Sequence, residues 1–476
     1  MADVSMNNKK TRDIPLFTFL CGCLLLMSCN PAEKTDTGPN GPEFVSSSSV
    51  ETVRAQIAKL PTNDVWWNVY GEDQAWNFKN LHRFMPTVNV YRQGQVRLLV
   101  ERPLAAISAE IVDTPIGSVA FKAFLDSKES KTMGLVVLHK GDIVFEHYPR
   151  QQPYEKPIFW SVTKVMVSAL VGILEDRDQV DVSQPISRYI PALLSSDFAT
   201  ISVRNLLDMA TGLNCPEEYI DHASCYYQYS TTIGDGYWTE KSGQSPYSMI
   251  ASLKPGMNRP QGEEFQYSGV NTFILSWLVE ELMGMPFQDA LSKEVWQNIG
   301  AEGDAALLAP RYGVPNTHGG LLAQLRDVAR FGLLYTPSYH KVTDRKIISD
   351  RIVGLIRNDG NPNLWQKARA ANMLPNDFSH SVYQWDAIYN NHDFYKGGWA
   401  GQGLLVNPDK DIVAVFTGYA IDAQESQPDL LPILRQVLNN VFSNQKGLNL
   451  APWQKNSLTQ KLDLHWVAEP QKESPT

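Results

Sequence analysis

Phe159-Trp160-Ser161-Val162-Thr163-Lys164 opens a run of mostly apolar residues that reaches Leu174, and it sets a serine and a lysine one helical turn apart. From Val162 to Leu174 the only charged side chain is Lys164, and apolar residues occupy nearly every side. That pattern predicts a buried helix rather than an amphipathic one. A lysine inside it needs a reason.

Residues i and i+3 share a helix face, so the Lys164 amine can reach the Ser161 hydroxyl. Burial disfavours the ammonium and brings a neutral amine within reach of neutral pH, where it can take the serine proton. A serine in the first helical turn also lies where unpaired backbone N–H groups and the helix dipole favour a developing oxyanion. Ser161 as an ordinary helix cap, with Lys164 reaching out to solvent, is the competing reading of these four residues.

The rest of the chain bounds the answer. With 476 residues, 43% hydrophobic and 10% aromatic, it can bury a large core. Lys9, Lys10 and Arg12 precede an uncharged stretch from Ile14 to Ser28 that ends at Cys29. This is short for a membrane span and fits a secretory signal. Leu26-Met27-Ser28-Cys29 resembles a bacterial lipoprotein signal, which implies removal of residues 1–28 and lipid on Cys29. An ordinary secretory signal is the alternative. Cleavage there would take the net charge from −9 to −10. An acidic body argues against nucleic acid and leaves the acyl chains as the membrane attachment. Asn30 after the cysteine points to the outer membrane, facing the periplasm or the cell surface. Cys215 and Cys225 remain, and in an oxidising compartment they either close a small loop or stay as free thiols.

Residues 29–59 read as a flexible tether rich in Pro, Gly and Ser, 60–450 as the folded body, and 451–476 as a C-terminal tail. Met133–Tyr148 reads as two strands joined at Lys140-Gly141-Asp142, and Gly403–Thr417 as a hairpin turning at Asn407-Pro408-Asp409. Leu430, Leu431, Leu434, Val437, Leu438 and Val441 follow at helical spacing. Helical patterns cover Ser202–Met209, Asn271–Met283 and Leu321–Tyr335. The expected fold is α+β: an antiparallel sheet from both ends of the chain, covered by helices, with an inserted, mainly helical lobe. The α/β lobe takes about 60–165 and 320–450, and the helical lobe about 166–319.

Two further segments carry chemistry. Tyr267 stands on a loop before the helix from Asn271, where a phenol near a lysine can relay a proton. Gly397-Gly398-Trp399-Ala400-Gly401-Gln402-Gly403 holds four glycines in seven residues and permits close backbone approach to a ligand. Together the three pieces resemble, in order and spacing, the serine hydrolase superfamily of class C β-lactamases, penicillin-binding D,D-peptidases, lactamase-like esterases and 6-aminohexanoate-dimer hydrolases. The resemblance spans about residues 80–445. It implies Ser161 as acylated nucleophile, Lys164 as its base partner and Tyr267 as the tyrosine of Y-x-N. It also implies Trp399-Ala400-Gly401 at the K-T-G position, with an oxyanion N–H on Gln402.

Two departures bear on substrate. Gly269 stands for the asparagine of Y-x-N and Trp399 for the lysine of K-T-G, and neither can bind an anion through a charge-assisted bond. The resemblance therefore implies an esterase or amidase for uncharged or aromatic acyl groups, nearest the lactamase-like esterases and the 6-aminohexanoate-dimer hydrolases. The alternatives are a β-lactamase or D,D-peptidase, and a lipoprotein that keeps the fold without turnover. The aromatic segment from Tyr219 to Tyr247, with Tyr226, Tyr227, Tyr229, Tyr237 and Trp238, reads either as the wall of the acyl pocket or as a surface loop. The chain has no G-x-S-x-G elbow and no histidine or cysteine pattern for a metal, so neither a metal nor another cofactor is expected. The expected partner is a small ester or amide.

Overall fold

In the computed structural model of the chain, alternate residues of the central strands enter two different cores. The description covers residues 45–442 apart from 47, 61–68, 220, 237–241, 243–244, 312, 367, 369–373 and 423–429. The signal segment, Cys29, Tyr237, Trp238 and the 451–476 tail thus lie outside the described residues. One sheet of seven antiparallel strands organises the molecule. In chain order its strands are β1 Thr132–His139, β2 Asp142–His147, β3 Phe378–Val382, β4 Trp385–Tyr389, β5 Phe394–Gly398, β6 Gln402–Asn407 and β7 Ile412–Gly418. Their spatial order is β2-β1-β7-β6-β5-β4-β3, so both ends of the chain build the sheet, as the hairpin patterns predict.

Leu135 and Val137 of β1 face one core, together with Ala414 of β7 and with Leu434 and Val437 of the C-terminal helix Leu430–Phe442. Val136 and Leu138 face the other, together with Val413, Val415 and the helix Leu325–Leu333. Period-2 side-chain alternation thus turns near-continuous apolar runs into a sheet buried on both faces. The β1–β2 turn is made by Lys140 and Gly141, both at positive φ (53° and 77°), the conformation a two-residue hairpin demands.

Two buried helices matter for the site. We call them α1, Thr163–Asp176, and α3, Gly269–Met283; between them lies α2, Cys225–Ile233. Every residue of α1 from Thr163 to Leu174 is buried, as its all-round apolar sequence requires. Ser224 caps α2 through the Tyr227 N–H, 3.1 Å away, and Gly234 at φ 94° ends it. One predicted helix starts late. Leu321-Leu322 is a short strand pairing with Leu307 and Ala306, and the helix begins only at Leu325. Tertiary pairing overrides local helical spacing there.

Candidate active site

The Ser161 turn is held from two sides before α1 begins. Phe159 N–H donates to the Leu321 carbonyl at 2.8 Å, and Thr163 Oγ1 accepts from Leu321 N–H at 3.0 Å while donating to the Trp160 carbonyl at 2.6 Å. Trp160 adopts φ 45°, an unfavourable region for a bulky side chain, and its ring packs on Phe78 and Trp399 at centroid distances of 5.6 and 5.2 Å. This places Ser161 on the 3-10 turn Trp160–Val162, half-buried and reachable, immediately before α1.

Lys164 points back at it. Its Nζ lies 3.0 Å from Ser161 Oγ and donates to the His318 carbonyl at 2.7 Å. The side chain is fully buried, at 0% exposure. Burial pulls the amine down from its usual value to about 8; the Glu217 carboxylate opposes this, Lys396 reinforces it, and Asp386 and Asp235 oppose it more weakly. A neutral amine in contact with a serine hydroxyl is therefore available close to neutral pH.

Tyr267 completes the cluster and brings a residue the sequence analysis did not single out. Its ring is within reach of two amines, Lys164 Nζ and Lys396 Nζ, each 4.8 Å from the centroid. Lys396 Nζ donates to the Tyr267 hydroxyl at 3.1 Å and pairs with Asp386 at 2.5 Å. Asp386 also accepts the Gly397 N–H at 2.9 Å. Trp399 stands at the position read as that of the family's K-T-G lysine, yet a lysine does reach this part of the site. Lys396, on β5 and three residues before Trp399, brings its amine to Tyr267, because β5 runs past the Ser161 turn.

Gly398 explains the closeness of that strand: a Cβ there would stand 2.4 Å from the Phe159 carbonyl oxygen and 3.2 Å from Trp160 Cβ. Trp399 begins the β5–β6 turn and is buried, at 5% exposure, against Trp160, Phe78 and Tyr70. Ala400 and Gly401 follow at positive φ (59° and 89°). The Gln402 side chain is buried and stitches this turn to β7: its amide donates to the Trp399 and Gly418 carbonyls at 2.8 and 3.1 Å, and its carbonyl accepts the Gly418 N–H at 3.0 Å.

Gly269, first residue of α3, has no room for a side chain. A Cβ there would lie 2.9 Å from His318 Cδ2 and 3.0 Å from the Tyr226 hydroxyl. His318 is itself held in a buried network. Its Nε2 meets Asp235 at 2.7 Å, its Nδ1 meets the Tyr229 hydroxyl at 2.9 Å, and Asn316 donates to Asp235 at 2.9 Å. Tyr226 bonds Tyr219 at 2.7 Å. Burial raises the phenol pKa values of Tyr219, Tyr226 and Tyr229 well above the usual range, so all three stay neutral donors. The tyrosines of α2 thus form the polar interior behind the site and not a surface loop. Cys215 and Cys225 are joined in a disulfide, which closes the loop in front of α2. Among the described residues no group of side chains could hold a metal ion, and no helix is long and apolar enough to cross a membrane.

A family model described as Beta-lactamase matches residues 119–418. The chain belongs to the beta-lactamase family. A 6-aminohexanoate-dimer hydrolase of Paenarthrobacter ureafaciens is 26% identical over 359 residues, covering 75% of this chain and 87% of that protein. Among solved structures, a Bacillus anthracis chain provisionally assigned as a 6-aminohexanoate-dimer hydrolase superposes with TM-score 0.68 at 20% identity, over 80% of this chain and 97% of that one. EstCE1, a hydrolase with promiscuous acyltransferase activity, superposes with TM-score 0.52 at 15% identity, over 65% of this chain and 94% of its own. The last two establish the beta-lactamase-like fold that the order of motifs implied.

Proposed function

We propose that this family member is a serine hydrolase that cleaves small esters or amides through an acyl-enzyme on Ser161. The observation that carries the reading is the 3.0 Å contact between the accessible Ser161 hydroxyl and a fully buried lysine amine whose pKa burial lowers to about 8. In this reading neutral Lys164 takes the Ser161 proton as the oxygen attacks the substrate carbonyl. Tyr267, adjoining both amines, passes a proton to the leaving group and later takes one from the hydrolytic water. Backbone N–H groups of the Ser161 turn and of the β5–β6 turn are the natural donors for the oxyanion, each worth roughly 100- to 1000-fold in rate.

The substrate class follows from charge. A free ammonium beside the acyl site would favour a carboxylate, but Lys396 already has its counter-charge in Asp386 and gives a second hydrogen bond to Tyr267. The space an asparagine would need at position 269 is filled by His318 and Tyr226. Both features support uncharged acyl groups over carboxylate-bearing antibiotics, consistent with the hydrolase activities named for the relatives.

The test compares p-nitrophenyl butyrate with the chromogenic cephalosporin nitrocefin, using Ser161→Ala as control. Ser161-dependent ester turnover with feeble cephalosporin turnover is expected. Efficient nitrocefin hydrolysis would overturn the substrate argument, and Ser161→Ala retaining full ester activity would overturn the mechanism.

A further inference from the structure

We propose that Glu217, on the loop closed by the Cys215–Cys225 disulfide, is a positioning residue that braces the Tyr267–Gly269 turn and balances the charge around Lys164. The inference rests on the reading of Ser161 and Lys164 as nucleophile and base. Two hydrogen bonds bracket the turn: Glu217 N–H donates to the Tyr267 carbonyl at 3.0 Å, and Gly269 N–H donates to Glu217 Oε2 at 2.9 Å. Gly269 opens α3, so its N–H has no partner within the helix, and a carboxylate at that end is favoured by the helix dipole as well. One residue therefore holds the catalytic tyrosine's carbonyl with its backbone and the following helix start with its side chain.

The disulfide gives this loop its place. Cys215 lies two residues before Glu217, and Cys225 is the first residue of α2. The loop is tied again by Tyr219 bonding Tyr226. Glu217 itself is half-buried.

The second consequence is electrostatic. The charged groups acting on Lys164 are Glu217 from this loop, Lys396 from β5, Asp386 from β4 and Asp235 from the segment after α2. Glu217 is foremost among those favouring the ammonium. Removing its charge leaves burial and Lys396 less opposed, so the amine loses its proton at lower pH. The acid limb of Ser161 reactivity, which needs the neutral amine, then moves to lower pH.

The measurement is the rate at which a fluorophosphonate labels Ser161, followed against pH, in the wild type, in Glu217→Gln and in Cys215→Ser/Cys225→Ser. Labelling does not depend on knowing the substrate. Glutamine keeps an oxygen for the Gly269 N–H and loses only the charge. The expected result is a downward shift of the acid limb by roughly half a pH unit or more in Glu217→Gln. The disulfide variant should shift the same way with a larger loss of maximal rate, and a melting curve records whether it stays folded. A limb that stays in place in Glu217→Gln, whether the rate falls or not, overturns the proposal. Absence of Ser161 labelling in the wild type would instead refute the serine-hydrolase reading and take this inference with it.

Discussion

Replacing Asp386 by asparagine keeps its shape and removes its charge, and the structure allows the consequence to be sized. Lys396 is fully buried and the Asp386 side chain is 18% exposed, so the pair is largely screened from water. Breaking such a pair from one side leaves an uncompensated ammonium, a loss of about 3–5 kcal/mol in buried cases. The partial exposure of Asp386 puts the expectation at the lower end, about 3 kcal/mol. Lys396 would keep the Tyr267 hydroxyl and the amide oxygen of the substituted side chain as acceptors but would have no counter-charge. The ammonium beside the phenol would then be unbalanced, and turnover should fall by about 100-fold, the scale of a proton-transfer contribution. The double variant Lys396→Met/Asp386→Asn separates the two effects. An apolar replacement of a buried pair is often neutral for stability, so the double variant should regain most of what the single one loses while remaining poorly active. The assay is urea unfolding followed by fluorescence, run beside p-nitrophenyl butyrate turnover. An Asp386→Asn variant within about 0.5 kcal/mol of the wild type would refute the reasoning, and so would a double variant no more stable than the single one.

The wild-type profile of kcat/KM should rise with pH through an apparent value near 8, since the protonated amine cannot accept from Ser161 and only about one amine in ten is neutral at pH 7. Lys164→Arg should abolish both the activity and that limb, because arginine stays charged; an active variant with the same limb would assign the ionisation elsewhere. Gly269→Asn, which restores the asparagine of Y-x-N, should cost about 1–3 kcal/mol from overpacking against His318 and Tyr226 and should leave nitrocefin turnover unchanged. A gain in cephalosporin hydrolysis by that variant would show that the missing amide, and not the filled space, sets the substrate.

What could be read from the sequence was what is local and periodic. The β1–β2 and β6–β7 hairpins announce themselves through apolar runs and turn residues, and α1 through its all-round apolar pattern, because each depends on neighbours a few residues away. Leu321 and Leu322 failed that test: their spacing is helical, but pairing with Leu307 and Ala306, and the bond from Phe159 N–H to the Leu321 carbonyl, decide their conformation. Ser161, Lys164 and Tyr267 were picked out by type and order, and the structure brings the three side chains together. Asp235 and His318 were out of reach, since 83 residues separate them and no spacing rule links a histidine to an aspartate that far away.

Lys396 was missed for a different reason, and the reason bears on function. A glycine-rich segment carries no periodicity, so the place of Lys396 relative to Tyr267 depends on where β5 ends and the turn begins, and that is fixed by Gly398 abutting the Phe159 carbonyl. Once the strand is in place a lysine does stand beside the tyrosine, and the argument from a missing cation has to be remade. In the proposed reading the preference for uncharged substrates rests on another footing. The charge is present but already paired with Asp386, while the neighbouring position 269 is emptied of a side chain because His318 and Tyr226 occupy the space. A site that spends its second amine on an internal carboxylate offers an incoming anion no free positive charge there, and binding one would cost desolvation without an equal return. In the proposed reading, selection against carboxylate-bearing substrates therefore resides in Asp386 as much as in the residues expected to contact them.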